Sequence, residues 1–306
     1  MNWVGTAIVC NLLPSFEDGL YTLRLIHGDG DKAINLIVDT GSAGTMIFSK
    51  SEPPLAKKDS SVFKFQNMQV GLIRPHSSSS DYLDCSQKIT LGTPLIGALN
   101  PNNDITNVAD GIIGLGRLKL GTAKTSPPFL FSQYAPQWST LTLSFPQSPR
   151  ENGKLTFSSI NELHRNNAFP VVSEYYWAVR VLAISSITLE KPVVAIIDSG
   201  SNFIGLSDRL YQPVREFVQN QLCPKRQGLD ISLKREGGHR ALFFIERDQY
   251  AIGDACNDLA FTKIDSSKLG DLSDNDVIIL GTRALAGKTV GIHTAVDKVQ
   301  YYLSVN

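Results

Sequence analysis

A β-branched apolar run that ends in Asp, a hydroxyl residue, Gly and Ser occurs twice in this 306-residue chain. The first copy is Leu36-Ile37-Val38-Asp39-Thr40-Gly41-Ser42 and the second is Val193-Val194-Ala195-Ile196-Ile197-Asp198-Ser199-Gly200-Ser201. They stand 159 residues apart, close to half the chain. One four-residue pattern of this kind arises by chance in about one chain in 50 of this length. Two copies, each closing an apolar run and half a chain apart, point instead to an internally repeated fold.

Runs such as Ile-Val and Ala-Ile-Ile predict buried strands. Asp at the end of such a strand opens a turn, and Gly lets another backbone approach. Each Asp is then fixed at the edge of an apolar core. If a pseudo-two-fold brings the turns together, two carboxylates meet in a partly desolvated space where both cannot ionise easily, so they share a proton. The ionised partner can accept a proton from water while the protonated one donates to a carbonyl, giving a general base and a general acid in one pair.

Bulk properties narrow the class. Lys+Arg and Asp+Glu are equal at 29 each, a balance that selects neither nucleic acid nor an anionic membrane as partner. Only 19% of residues are charged, and the 24 Gly and 15 Pro favour a turn-rich β protein. Met1 to Leu13 has no Lys or Arg ahead of its apolar residues, so it is expected to be a strand, not a signal peptide or a membrane span. None of the four cysteines forms a C-x-x-C and the five His are scattered, so no metal site is expected. No N-x-[ST] sequon occurs, which disfavours heavy glycosylation.

Tyr21 to Ile26 alternates as a strand, and His27-Gly28-Asp29-Gly30-Asp31 is a hairpin turn that lacks the downstream ligands of a calcium loop. Residues 51–82 are rich in loop residues. Ala109-Asp110-Gly111-Ile112-Ile113-Gly114-Leu115-Gly116 and Val277-Ile278-Ile279-Leu280-Gly281 are apolar runs ending in Gly, one after each Asp motif. Leu141–Phe145 and Gly153–Phe157 predict one hairpin, and Ile187–Leu189 with Val193–Ile197 another. Leu210 to Val218 has helical spacing; Val290–Ile292 and Val299–Leu303 predict closing strands. Sparse periodicity over Asn161–Val172 places a boundary there, giving an N-terminal lobe over 1–165 and a C-terminal lobe over 166–306.

Over nearly its whole length the chain resembles the pepsin-like aspartic proteases. The resemblance rests on the two Asp motifs, the two apolar-apolar-Gly runs and the Tyr175-Tyr176-Trp177 segment opening the second half. It implies an all-β, bilobal pepsin-like fold with a few short helices. It also implies an aspartic endopeptidase in which Asp39 and Asp198 activate a water molecule against a peptide bond, without cofactor or metal. Thr40 and Ser199 would bond across to the opposite loop, Ser42 and Ser201 would bond the outer carboxylate oxygens, and Gly41 and Gly200 would complete the loops. One chain holds both motifs, so a monomer with a polypeptide substrate between the lobes is implied, and a half-size dimer is not. The spacing of Cys223 and Cys256 is similar to the family's C-terminal disulfide; such a bridge implies an oxidising compartment and a secreted or endo-lysosomal protein, whereas reduced thiols would suit a cytoplasmic one. Cys10 and Cys85 match no bridge of the family, and their redox state stays open.

The chain departs from the family in its flap, the hairpin that closes over substrate. Gly44 and Met46 stand where Asn and Trp are usual, and no Tyr-Gly-Thr-Gly occurs. Tyr82 is the flap candidate by its distance from Asp39. If Asp84–Gly92 is the strand after the flap, Tyr82 belongs to that return strand and the tip lies within 68–80. The departure keeps an alternative in view: a weak or inactive binding protein on the same scaffold, like the family's glycosidase-inhibitor relatives.

Overall fold

The computed structural model describes residues 7–15, 19–27, 32–42, 46–49, 63–65, 68–72, 82–86, 89–90, 96–99, 109–117, 140–158, 168–253, 256–294 and 301–306. Strand follows strand with short helical turns between them, and two mixed sheets result. Alternating residues explain the strands of the first sheet. In Gly153–Ser158 and Thr140–Ser144 the apolar side chains Leu155, Phe157, Leu141 and Leu143 go fully inside while intervening residues face outward. By contrast, all five residues of Val193–Ile197 are buried, as expected of a strand covered on both faces.

The same three-strand unit is built twice. Lys32–Asp39 runs parallel to Gly111–Gly114, which in turn pairs antiparallel with Met46–Ser49. In the second sheet Val193–Ile197 runs parallel to Asp276–Leu280, which pairs antiparallel with Ile204–Ser207. Each Asp motif therefore leaves one strand of a parallel pair and returns on the far side of its partner. The apolar-Gly runs are the central strands of these units, which explains why they carry no polar side chain between Ile112 and Leu115 or between Val277 and Leu280. Leu36, Val38, Ile113 and Leu115 are essentially inaccessible, and each such side chain contributes about 1.5–3 kcal/mol by leaving water. The strands under Asp39 thus rest on a fully buried apolar layer.

The first sheet recruits strands from both ends of the chain. Thr289–Thr294 pairs with Thr140–Ser144, Tyr301–Val305 pairs with Thr289–Thr294, and Phe169–Pro170 joins at the outer edge. Strands from both sides of residue 165 thus meet in one sheet. One expectation needs correcting. Val193–Ile197 finds its hairpin partner in Ala178–Ile184, not in Ile187–Leu189. Ser185, at φ 44°, turns the chain immediately after Ile184, leaving Ile187 with a single bridge back to Ile184.

The helical spacing at Leu210–Val218 corresponds to the helix Asp208–Phe217, which buries Leu210 and Val214 and continues as a wider turn through Val218–Leu222. That continuation delivers Cys223 to Cys256, to which it is disulfide-bonded. Cys10 and Cys85 form a second disulfide, closing the strand Ile8–Pro14 onto the segment that follows Tyr82–Leu83. No described helix is long and apolar enough to cross a membrane.

Candidate functional site

Asp39 ends Lys32–Asp39, and Asp198 follows directly on Val193–Ile197, so the two repeated units aim both carboxyls at one place. The loops come within contact of each other. A β-carbon added to Gly200 would lie 2.3 Å from Asp39 Cγ, and one added to Gly41 would lie 2.7 Å from Asp198 Oδ1. Only glycine permits this approach at either position, and the reciprocity makes the pair close to two-fold symmetric.

Each carboxylate is held by its own loop. Gly41 and Ser42 N–H donate to Asp39 Oδ1 at 2.7 and 3.1 Å, and Ser42 Oγ donates to Oδ2 at 2.5 Å. Gly200 N–H donates to Asp198 Oδ1 at 3.0 Å, and Ser201 Oγ to Oδ2 at 2.6 Å. In both residues Oδ1 accepts from backbone N–H and Oδ2 from the serine hydroxyl. A second set of bonds crosses between the loops. Thr40 N–H donates to Ser199 Oγ at 3.1 Å, and Ser199 N–H donates to Thr40 Oγ1 at 2.9 Å. Thr40 Oγ1 in turn donates to Ile197 O at 2.8 Å, and Ser199 Oγ to Val38 O at 2.7 Å. Both side chains are buried, so this grid of four bonds has no competing water.

The backbone behind the loops is equally fixed. Gly116 N–H donates to Ser42 O and Thr282 N–H to Ser201 O, both at 2.7 Å. Gly116 and Gly281 pass so near these carbonyls that a β-carbon would come within 2.7 and 2.5 Å of them. Trp177 adds a tie between the two repeats: its buried indole Nε1–H donates to Leu115 O at 2.6 Å. This bond was not legible in the sequence, where Trp177 is one of three consecutive aromatics opening the second half.

Electrostatics separate the two carboxyls. Asp39 is only 9% exposed, while Asp198 is half-buried. Burial, then the charge of Asp198, pushes Asp39 from its ordinary 3.8 up to about 7; the bonds from Ser42 and Gly41 oppose the rise without cancelling it, and a hydrogen bond shared with Asp198 adds to it. At neutral pH and below, the pair holds a proton that can be shared. Tyr176, next to the indole tie, lies in the field of Asp198: its phenol is raised by burial, then by the charges of Asp271 and Asp198.

Each anticipated motif residue, Asp39, Thr40, Gly41, Ser42, Asp198, Ser199, Gly200 and Ser201, thus lies in one cluster. Tyr82 begins the short strand Tyr82–Leu83, paired with Tyr21–His27 on one side and Ile89–Thr90 on the other. Its side chain, Gly44, and residues 73–81 of the expected flap lie outside the described residues. No cluster of potential metal ligands occurs among the described residues. No protein-family model matches the chain, and no curated protein matches it.

Proposed function

We propose that this chain is an aspartic endopeptidase of the pepsin-like kind, with Asp39 and Asp198 as its acid–base pair. The observation that carries the reading is the facing pair itself. Two carboxyls meet where only glycine fits on the facing loop, each is held by its own Gly N–H and Ser hydroxyl, and one is raised to about 7. In this reading the ionised member takes a proton from a water molecule as its oxygen attacks the scissile carbonyl carbon. The protonated member gives its proton to the carbonyl oxygen. As the C–N bond breaks, the proton taken from water passes from the pair to the departing amine nitrogen, and a hydroxyl of the tetrahedral diol gives its proton to the other carboxylate as the carbonyl reforms, so the pair again holds one proton. The crossed Thr40–Ser199 bonds hold the two loops together throughout, so little reorganisation is needed.

The substrate is an extended polypeptide lying between the lobes of a bilobal fold, and one chain suffices to build the dyad. Two disulfides support a secreted or endo-lysosomal location. Because one carboxyl must stay protonated, activity falls as pH rises through about 7. The test is cleavage of a denatured protein mixture from pH 3 to 8, with and without a statine-type inhibitor, beside Asp39→Asn and Asp198→Asn. The reading expects inhibitable cleavage that both variants abolish. Folded wild-type protein that cleaves nothing at any pH would overturn it in favour of a binding protein on the same scaffold.

A further inference from the structure

The second sheet ends at the strand Arg240–Ile245, whose one strand neighbour among the described residues is Leu229–Lys234. An edge strand presents a row of unpaired N–H and C=O groups, and soluble proteins usually blunt it with Pro, a central Lys or a bulge. This one has none of these. Its register runs unbroken from Leu229↔Ile245 to Lys234↔Arg240. Phe243 and Ile245 go into the core, yet Leu242 is 64% and Phe244 43% exposed. The outward row, read along the strand and one residue past it, is Arg240, Leu242, Phe244, Glu246, with both charged ends exposed.

That row is complementary to itself. In antiparallel pairing on a two-fold axis through Phe243, Arg240 falls opposite Glu246 of the partner subunit, and Leu242 falls opposite Phe244 of the partner subunit. Aliphatic–aromatic and opposite-charge pairs across antiparallel strands are the stabilising kinds. A second observation concerns the same end of the strand. Within the chain Arg240 is in register with Lys234, a like-charge pair that a carboxylate from outside would relieve. Glu246 keeps its own duties, accepting from Gln147 Nε2 at 3.2 Å and capping the turn Arg247–Tyr250. A carboxylate has lone pairs left for a guanidinium beyond these.

We propose that a second copy of this chain pairs with this edge, fusing two sheets into one across a two-fold axis. Leu229–Lys234 and Ala178–Ile184 separate the edge from the strand that leads to Asp198, so the dimer leaves the dyad untouched. The contact is a small one, and association in the micromolar range fits its size.

Sedimentation equilibrium of the whole chain from about 1 to 100 µM tests this. The mass rises from 33.5 kDa toward twice that value. Leu242→Lys and, separately, Arg240→Glu each weaken association at least tenfold, and because both side chains are exposed their urea midpoints stay at the wild-type value. Hydrogen exchange of wild-type protein gives an independent reading: amides within 240–245 gain protection as concentration rises. A wild-type mass that stays at 33.5 kDa throughout, association unchanged in a folded Leu242→Lys variant, or concentration-dependent protection confined to another segment would each overturn the proposal.

Discussion

Replacing Asp39 by Asn should make the protein more stable at neutral pH while removing its proposed activity. Asp39 is raised in the folded state from 3.8 to about 7, chiefly by burial. A folded group with a raised pKa binds its proton more tightly than the unfolded chain does. Its contribution is therefore fully present below about pH 3.8 and is lost as pH rises to about 7. At 1.36 kcal/mol per pH unit, the interval from 3.8 to about 7 amounts to about 4 kcal/mol lost by the wild-type protein. Asn carries no charge to desolvate, and its carbonyl can still accept from Gly41 and Ser42 N–H. Urea melts at pH 4, 6 and 8 would show the two proteins close together at pH 4 and Asp39→Asn ahead by about 4 kcal/mol at pH 8, with an unchanged m-value. In a thermal scan that is about 6 °C for a chain of this length, from about 2.1 cal/mol/K of unfolding entropy per residue. Asp198→Asn, which removes the charge of Asp198 but leaves burial, the largest cause of the rise, in place, should gain less. A difference that does not vary with pH, or an Asp39→Asn protein less stable than wild type at pH 8, would refute the claim that Asp39 is a desolvated carboxyl.

Other perturbations have equally definite outcomes. Gly200→Ala places a methyl group where Asp39 Cγ already lies, so kcat should drop by about 100-fold or more, read in a peptide cleavage assay on protein that still folds. Ser199→Ala removes the acceptor for Thr40 N–H and the donor to Val38 O, orphaning two buried groups; denaturant melts should show a loss of about 2–4 kcal/mol, and Ser199→Thr should restore most of it. His293 is lowered by burial from 6.5 to about 4, with its ring between Thr140 Oγ1 and Ser304 Oγ. A lowered His contributes its stability above about pH 6.5 and loses it as pH falls to about 4, up to about 3 kcal/mol in all. His293→Gln should flatten that acid limb in melts from pH 7 to 4. Trp177→Phe deletes the indole bond to Leu115 O and should cost about 1–3 kcal/mol.

Much of this site was legible because its parts are local. Asp39 to Ser42 and Asp198 to Ser201 are contiguous, and the apolar runs before them have a period that declares strands. The repeat itself gave the reason to bring the two together. What could not be read depends on partners far along the chain. Cys10 meets Cys85 across 75 residues, with no spacing rule to join them. His293 is polar in the sequence but buried in the fold, because its neighbours Thr140 and Ser304 come from the strands on either side. Ile187–Leu189 had the alternation of a strand, yet a turn at Ser185 claimed the position first. Thr289–Thr294 and Tyr301–Val305 follow the second Asp motif in sequence but belong to the first sheet, which no periodicity records.

That last arrangement bears on how the molecule is made. The edge of Thr140–Ser144 waits for Thr289–Thr294, and Thr289 Oγ1 reaches Ser144 Oγ only across 145 intervening positions. At ribosomal speeds of about 5–20 residues per second, the edge stays open for roughly 7–30 s after its own strand has been synthesised. During that interval the nascent chain carries an adhesive flank made of Thr-Leu-Thr-Leu-Ser. An open edge of this kind is what holding chaperones cover, and a slow codon stretch within residues 145–288 would lengthen the interval during which it stays open.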